Sequence, residues 1–126
     1  MVLIDTSVLI ALYRRRSATL GQRLAQLANR NEAAVCGPVW VEFVGGFRSG
    51  ERRRRIGHLL AAYPWLETSR RAFEQAAEWC ATVRGIGPGD AVIAATAREH
   101  GATLLTLDRG FLALVGGGLK VEIASP

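Results

Sequence analysis

The sequence predicts a three-layer α/β/α sandwich with a short, mainly parallel central sheet. Three observations point there. Short apolar runs alternate along the chain with stretches of helical periodicity. The runs are apolar on both faces, as in strands covered by helices on either side. Acidic residues stand where several of these runs end, and open α/β sheets gather their functional groups at the carboxyl ends of strands.

Residues 2–5 read as a buried strand, and the helix after them runs to about Tyr13. Leu20, Leu24, Leu27 and Ala28 mark one face of a second helix. "EAAVCG" (32–37) is a second strand. Pro38 follows Gly37 where a helix begins, and "PVWVEFVGGF" continues it. Ile56, Leu59, Leu60 and Tyr63 give another helix, stopped before Pro64. Phe73, Ala76, Ala77, Cys80 and Val83 form the apolar stripe of a long helix. "GIGPG" (85–89) is a loop leading into a helix from about Pro88 to His100. "ATLLTL" (102–107) is a buried strand ending at Asp108, and "LKVEI" (119–123) is a last strand.

A length of 126 residues suits one domain, 1–126, with a sizeable core. Hydrophobic residues are 49% of the chain and charged residues 21%, a globular rather than a disordered balance. No apolar run is long enough to span a bilayer. The apolar start has no basic region before it and carries Asp5, which does not fit a signal peptide. A soluble cytoplasmic protein is expected. Cys36 and Cys80 lie in apolar segments and read as buried free thiols. The net charge of +5 comes from arginines grouped as "YRRR" (13–16), "ERRRR" (51–55) and "SRR" (69–71). That excess suits an anionic partner, yet arginine runs on helices also form plain solvated faces.

The chain has three aspartates, Asp5, Asp90 and Asp108, each at a junction between predicted elements. Capping and turn roles would account for any one of them. Asp90 goes further, because Ile93, Ala94 and Ala97 share its helical face and aim it inward. Glu42 is set among apolar neighbours, with Pro38, Val39, Gly45 and Gly46 three and four residues away and no pairing partner. Glu51, Glu74 and Glu78 instead read as solvated positions with weak ion pairs, such as Arg70 with Glu74. If Asp5, Glu42, Asp90 and Asp108 converge, their repulsion and lost hydration require cations between them. Oxygen-only ligands suit Mg²⁺ or Mn²⁺, ions that serve phosphoryl chemistry. His58 and His100 have no evident catalytic partner, and no G-x-S-x-G elbow, P-loop or dinucleotide fingerprint is present.

"LIDTSVLI", the glutamate in "PVWVEF" and "GPGDAVIAATAREHGATLLTLDRGF" together resemble PIN-domain ribonucleases, in their compact form the VapC-type toxins of toxin–antitoxin pairs. The ordered set covers essentially the whole chain. The resemblance implies a Mg²⁺-dependent endoribonuclease, with Mn²⁺ as a substitute. Asp5, Glu42, Asp90 and Asp108 match the family's acids, and Asp5, Asp90 and Asp108 would hold the metal. Ser7 and Thr106 match small polar positions that support the site by hydrogen bonding. It further implies an RNA substrate, a homodimer and a small VapB-like antitoxin, and it gives Arg14, Arg15 and Arg16 weight as RNA contacts. "DRGF" departs from the pattern, because Gly110 stands where many relatives carry a further aspartate. The competing reading is a catalytically weak or inactive RNA- or protein-binding module. A phosphatase with Asp5 as nucleophile lacks the second aspartate it needs, since that position is Ser7.

Overall fold

The computed structural model describes every residue except Arg16, and Arg15 in its backbone only. Strand β1 (Val2–Ile4) leads into α1 (Thr6–Arg15) and α2 (Ala18–Asn29), then β2 (Ala33–Cys36) into α3 (Gly37–Val44) and α4 (Gly50–Leu60). β3 (Trp65–Leu66) precedes α5 (Arg70–Thr82) and α6 (Pro88–Glu99). β4 (Thr103–Thr106), a 3₁₀ segment (Arg109–Gly117) and β5 (Lys120–Ile123) complete the order. The strands form one sheet in the order β3-β2-β1-β4-β5, with helices flanking it. Every pairing is parallel, where the sequence predicted a mainly parallel sheet.

β1 is central, since Leu3 pairs with Ala34 on one side and Leu104 on the other. A three-residue strand holds this position because Leu3 and Ile4 are buried and its amides are paired from both neighbours. The chain turns to one side of β1 for β2 and β3, and to the other for β4 and β5. The carboxyl ends of β1 and β4 therefore meet at the switch point of the sheet, where α/β folds open a crevice. Asp5 immediately follows β1, and Asp108 lies two residues past β4.

The helix starts carry their own signals. Ser17, Ser49 and Ser69 cap α2, α4 and α5 by accepting from the amides of Leu20, Arg52 and Ala72. Pro38 and Pro88 sit in the first turns of α3 and α6, where a missing amide hydrogen costs nothing.

Several helix faces differ from the sequence reading. On α5 the buried residues are Ala72, Ala76 and Trp79, whereas Phe73 is 54% exposed and Ala77 and Cys80 face out. The face is rotated because α5 packs on the alanine-rich α6, where Ala72 and Ala76 allow close approach and a phenylalanine would not fit. Cys80 is thus an exposed thiol, while Cys36 is buried as expected. Leu59 on α4 and Ala28 on α2 are likewise exposed. Arg70 and Glu74 form no ion pair; among the described residues the salt bridge is Arg23–Glu122 at 2.7 Å. Two elements were not anticipated, the two-residue β3 and the 3₁₀ segment. The latter buries Phe111 and Leu114 and ends at Gly118, whose φ of 98° suits a residue without a β-carbon.

Candidate active site

Asp5 is only 4% exposed, at the point where β1 gives way to α1. Its carboxylate is held by two hydroxyls. Ser7 Oγ donates to Asp5 Oδ2 at 2.6 Å and Thr106 Oγ1 donates to the same oxygen at 2.7 Å. The hydroxyls are themselves oriented from behind. The amide of Leu107 donates to Ser7 Oγ at 3.0 Å, and that of Asp108 to Thr106 Oγ1 at 2.9 Å. Buried polar groups stand when each has a partner, and here the chain β1–α1 and the end of β4 supply the partners to each other. Among the described residues every buried side-chain nitrogen and oxygen has one.

The network ties Asp5 to Asp108 through Thr106. Thr106 is fully buried and sits on the last position of β4. Its replacement by valine removes a donor to Asp5 and leaves the Asp108 amide without an acceptor. Thr106→Val is expected to lower stability by about 1–3 kcal/mol in urea unfolding. Thr106→Ser, which keeps the hydroxyl, should retain most of the stability. Unchanged stability of Thr106→Val would show that its hydroxyl does not hold Asp5 and the Asp108 amide in place.

Asp108 is exposed and caps the 3₁₀ segment, its Oδ1 accepting from the Gly110 amide at 2.8 Å. A β-carbon at position 110 would lie 3.0 Å from that oxygen. Gly110 therefore lets the Asp108 carboxylate fold back over its own turn, and a larger residue there would press on it. Asp90 occupies the first turn of α6, half-buried, where Pro88 starts the helix and small residues beneath it pack on the sheet. Glu42 lies on α3, exposed as a residue but with its carboxylate partly covered, accepting from Thr6 Oγ1 at 3.4 Å. α6 comes close to it, for a β-carbon on Gly89 would lie 3.9 Å from Glu42 Oε1.

Two of the four acids register the charges of the others. The carboxyl of Glu42 is raised above its ordinary range by burial, then by the charges of Asp90 and Asp5. Asp90 is raised too, by burial and then by the charges of Asp5 and Asp108. None of the four is in a salt bridge among the described residues. Nor does any group of three or more His, Cys, Asp or Glu side chains among them stand close enough to hold a metal ion. The donor set nonetheless fits a hard divalent cation, being all oxygen, anionic and mutually repelling. Bringing three such carboxylates to coordination distance takes a cation between them.

Other nucleophiles are poorly placed. Burial pushes the Cys36 thiol up to about 11. His100 hydrogen-bonds the carbonyl of Glu67 at 2.8 Å, and His58 lies on the exposed side of α4. Of the arginines singled out in the sequence, Arg14 lines two grooves that flank this end of the sheet. The side chain of Arg15, and Arg16 altogether, lie outside the described residues. Sequence reasoning missed Thr6, whose hydroxyl reaches Glu42. It also missed the aromatic and basic groove beside Glu42, which is assembled from α1, α3 and α4 and has no local sequence signature.

Known proteins show the same architecture. The family model of the PIN domain matches residues 2–116. A VapBC complex from Rickettsia felis, solved bound to a DNA fragment from its promoter, is similar with a TM-score of 0.81 and 21% identity, covering 99% of this chain and 100% of that one. A toxin–antitoxin complex from Klebsiella pneumoniae has a TM-score of 0.77 and 25% identity, covering 97% of this chain and 96% of the other. A VapC toxin from Mycobacterium tuberculosis that cleaves the sarcin–ricin loop has a TM-score of 0.68 and 22% identity, covering 97% of this chain and 99% of that one. No curated protein sequence matches.

Proposed function

The chain belongs to the PIN-domain family, and from that premise we propose that it is a Mg²⁺- or Mn²⁺-dependent endoribonuclease, the toxin of a toxin–antitoxin pair. One observation carries the reading. Four carboxylates from four separate segments face the switch point of a parallel sheet, where burial and the neighbouring acids raise Glu42 and Asp90, and none of the four has a basic partner among the described residues. A protein that used them only as caps would gain nothing from placing them together.

In this reading Asp5, Asp90 and Asp108 hold the metal. A bound Mg²⁺ or Mn²⁺ supplies charge stabilisation at the phosphate and acidifies water. The protein's own part is positioning. Ser7 and Thr106 fix the rotamer of Asp5, and the Gly110 amide fixes that of Asp108. Glu42, at the rim and raised, is the carboxylate suited to exchange a proton with water near the scissile phosphate. Residues 1–126 act as one nuclease domain in the cytoplasm. No helix among the described residues is long and apolar enough to cross a membrane. A homodimer is supported by the exposed apolar strip of α5 and α6 around Phe73, Cys80 and Val92. A VapB-like antitoxin is the proposed partner, since similar structures are toxin–antitoxin complexes.

The test is RNA cleavage by protein stripped of divalent ions. Cleavage should appear with Mn²⁺, stop in EDTA and leave 5′-phosphate and 3′-hydroxyl ends. Sequencing cellular 5′ ends after brief expression would then name the target. Equal cleavage in EDTA would overturn the reading. The second reading is a non-catalytic RNA- or protein-binding module, in which the arginines supply affinity and the acids are structural. Absence of Mn²⁺ binding at millimolar metal would select it.

A further inference from the structure

A groove of about 440 Å³ opens between α1, α3 and α4, with Glu42 on its edge. Its floor is aromatic. Tyr13, Phe43 and Phe47 meet edge to face, with ring centroids 4.9 Å apart for Tyr13–Phe47 and 5.4 Å for Phe43–Phe47. That arrangement suits the ring quadrupoles and holds Tyr13 in place. Phe43 is buried beneath, whereas Tyr13 remains 43% exposed. Its rim is basic. Arg14, Arg48 and Arg52 line it, and none of them is in a salt bridge among the described residues. Arg52 Nη1 donates to the Tyr13 hydroxyl at 3.4 Å. The loop carrying Phe47 and Arg48 is pinned by Arg53, whose Nη1 donates to both of their carbonyls at 2.7 and 2.8 Å.

We infer that this groove is the RNA subsite next to the scissile phosphate, taking one unpaired base against Tyr13 and the adjoining phosphates on Arg14, Arg48 and Arg52. The inference rests on the ribonuclease reading and deepens it. Three observations select a nucleotide. An aromatic floor beneath a guanidinium rim matches a base joined to phosphates, and sequence-tolerant stacking of this kind is how proteins grip single strands. The net charge of the rim is positive even with Glu42 counted. Glu42 belongs both to the groove and to the acid group, so a strand lying here delivers its next phosphate to the acids. Arg14 also lines the groove on the far side with Ser7 and Arg109, which gives the strand a continuous basic path. A peptide would satisfy the charges only by carrying acids, and those would meet Glu42.

The experiment uses Asp5→Asn protein, so that RNA is bound and not cut, and follows anisotropy of a short labelled single-stranded RNA of mixed sequence. Tyr13→Leu should weaken binding about tenfold, while Tyr13→Phe should match the parent. Arg48→Ala with Arg52→Ala should weaken binding and lower the salt slope by about 1.4. A series of RNAs with one abasic position should show one position at which Tyr13→Leu costs nothing further. Urea midpoints of the variants close to the parent's would exclude loss of fold; Tyr13→Leu that unfolds is replaced by Tyr13→Met. If Tyr13→Leu binds RNA like the parent while the otherwise wild-type enzyme cleaves with Mn²⁺, the subsite is wrong and the nuclease reading stands. The same result together with lost binding of the co-expressed antitoxin would assign the groove to the protein partner instead. If wild-type protein neither cuts nor binds RNA, both readings fall.

Discussion

Asp5→Asn is expected to lose RNA cleavage by at least about a hundredfold while keeping its fold. Both hydroxyls that hold Asp5 donate to one oxygen, Oδ2. The asparagine carbonyl can take that place and keep both hydrogen bonds. What the substitution removes is the negative charge, and with it a source of the raised proton affinity at Glu42 and Asp90. In EDTA near neutral pH the variant should therefore be as stable as the parent, or more so by about 1 kcal/mol. A site that sacrifices stability for function behaves this way, whereas a capping aspartate would show the opposite. Urea unfolding and RNA cleavage measured on the same preparations separate the two. Retained full activity would sink the assignment of Asp5.

Metal should act on stability with a definite pH dependence. The folded-state carboxyls of Glu42 and Asp90 are raised, so between the ordinary carboxylate range and their raised values the folded protein binds more protons than the unfolded chain. The metal-free protein therefore loses stability as pH rises through that window. Below the ordinary range both states are protonated at these groups and the penalty is absent. A divalent ion needs the ionised carboxylates, so its affinity runs the other way and grows with pH. Scanning calorimetry near pH 7.5 should show Mn²⁺ raising the melting temperature by about 10 °C at a hundredfold excess over its dissociation constant. The rise should shrink as pH falls towards 4. A rise of equal size at both pH values would mean that the ion binds elsewhere.

Much of this protein was readable in its sequence, because the relevant information is local. Apolar runs bounded by Gly37, Pro38 and Pro88 marked strands and helix starts within a residue or two. The alternation of those elements was enough for a parallel α/β sandwich. Asp5 and Asp108 stood out because each follows a buried strand, and Asp90 because its helical neighbours are small and apolar. That these acids are near one another was an expectation; their mutual influence is a property of the packed chain. Tertiary structure alone decided the rest. It turned α5 by about one residue, putting Ala72, Ala76 and Trp79 inside and Phe73 out, since close packing on α6 outranks size and hydrophobicity. It joined Ser7, Thr106 and Asp5, residues up to 101 positions apart, through hydrogen bonds that no periodicity encodes. It built the groove from α1, α3 and α4, whose aromatic and basic residues look like ordinary core and surface when read along the chain. Periodicity reports how a residue faces its own helix, and only the packed fold reports what that face meets.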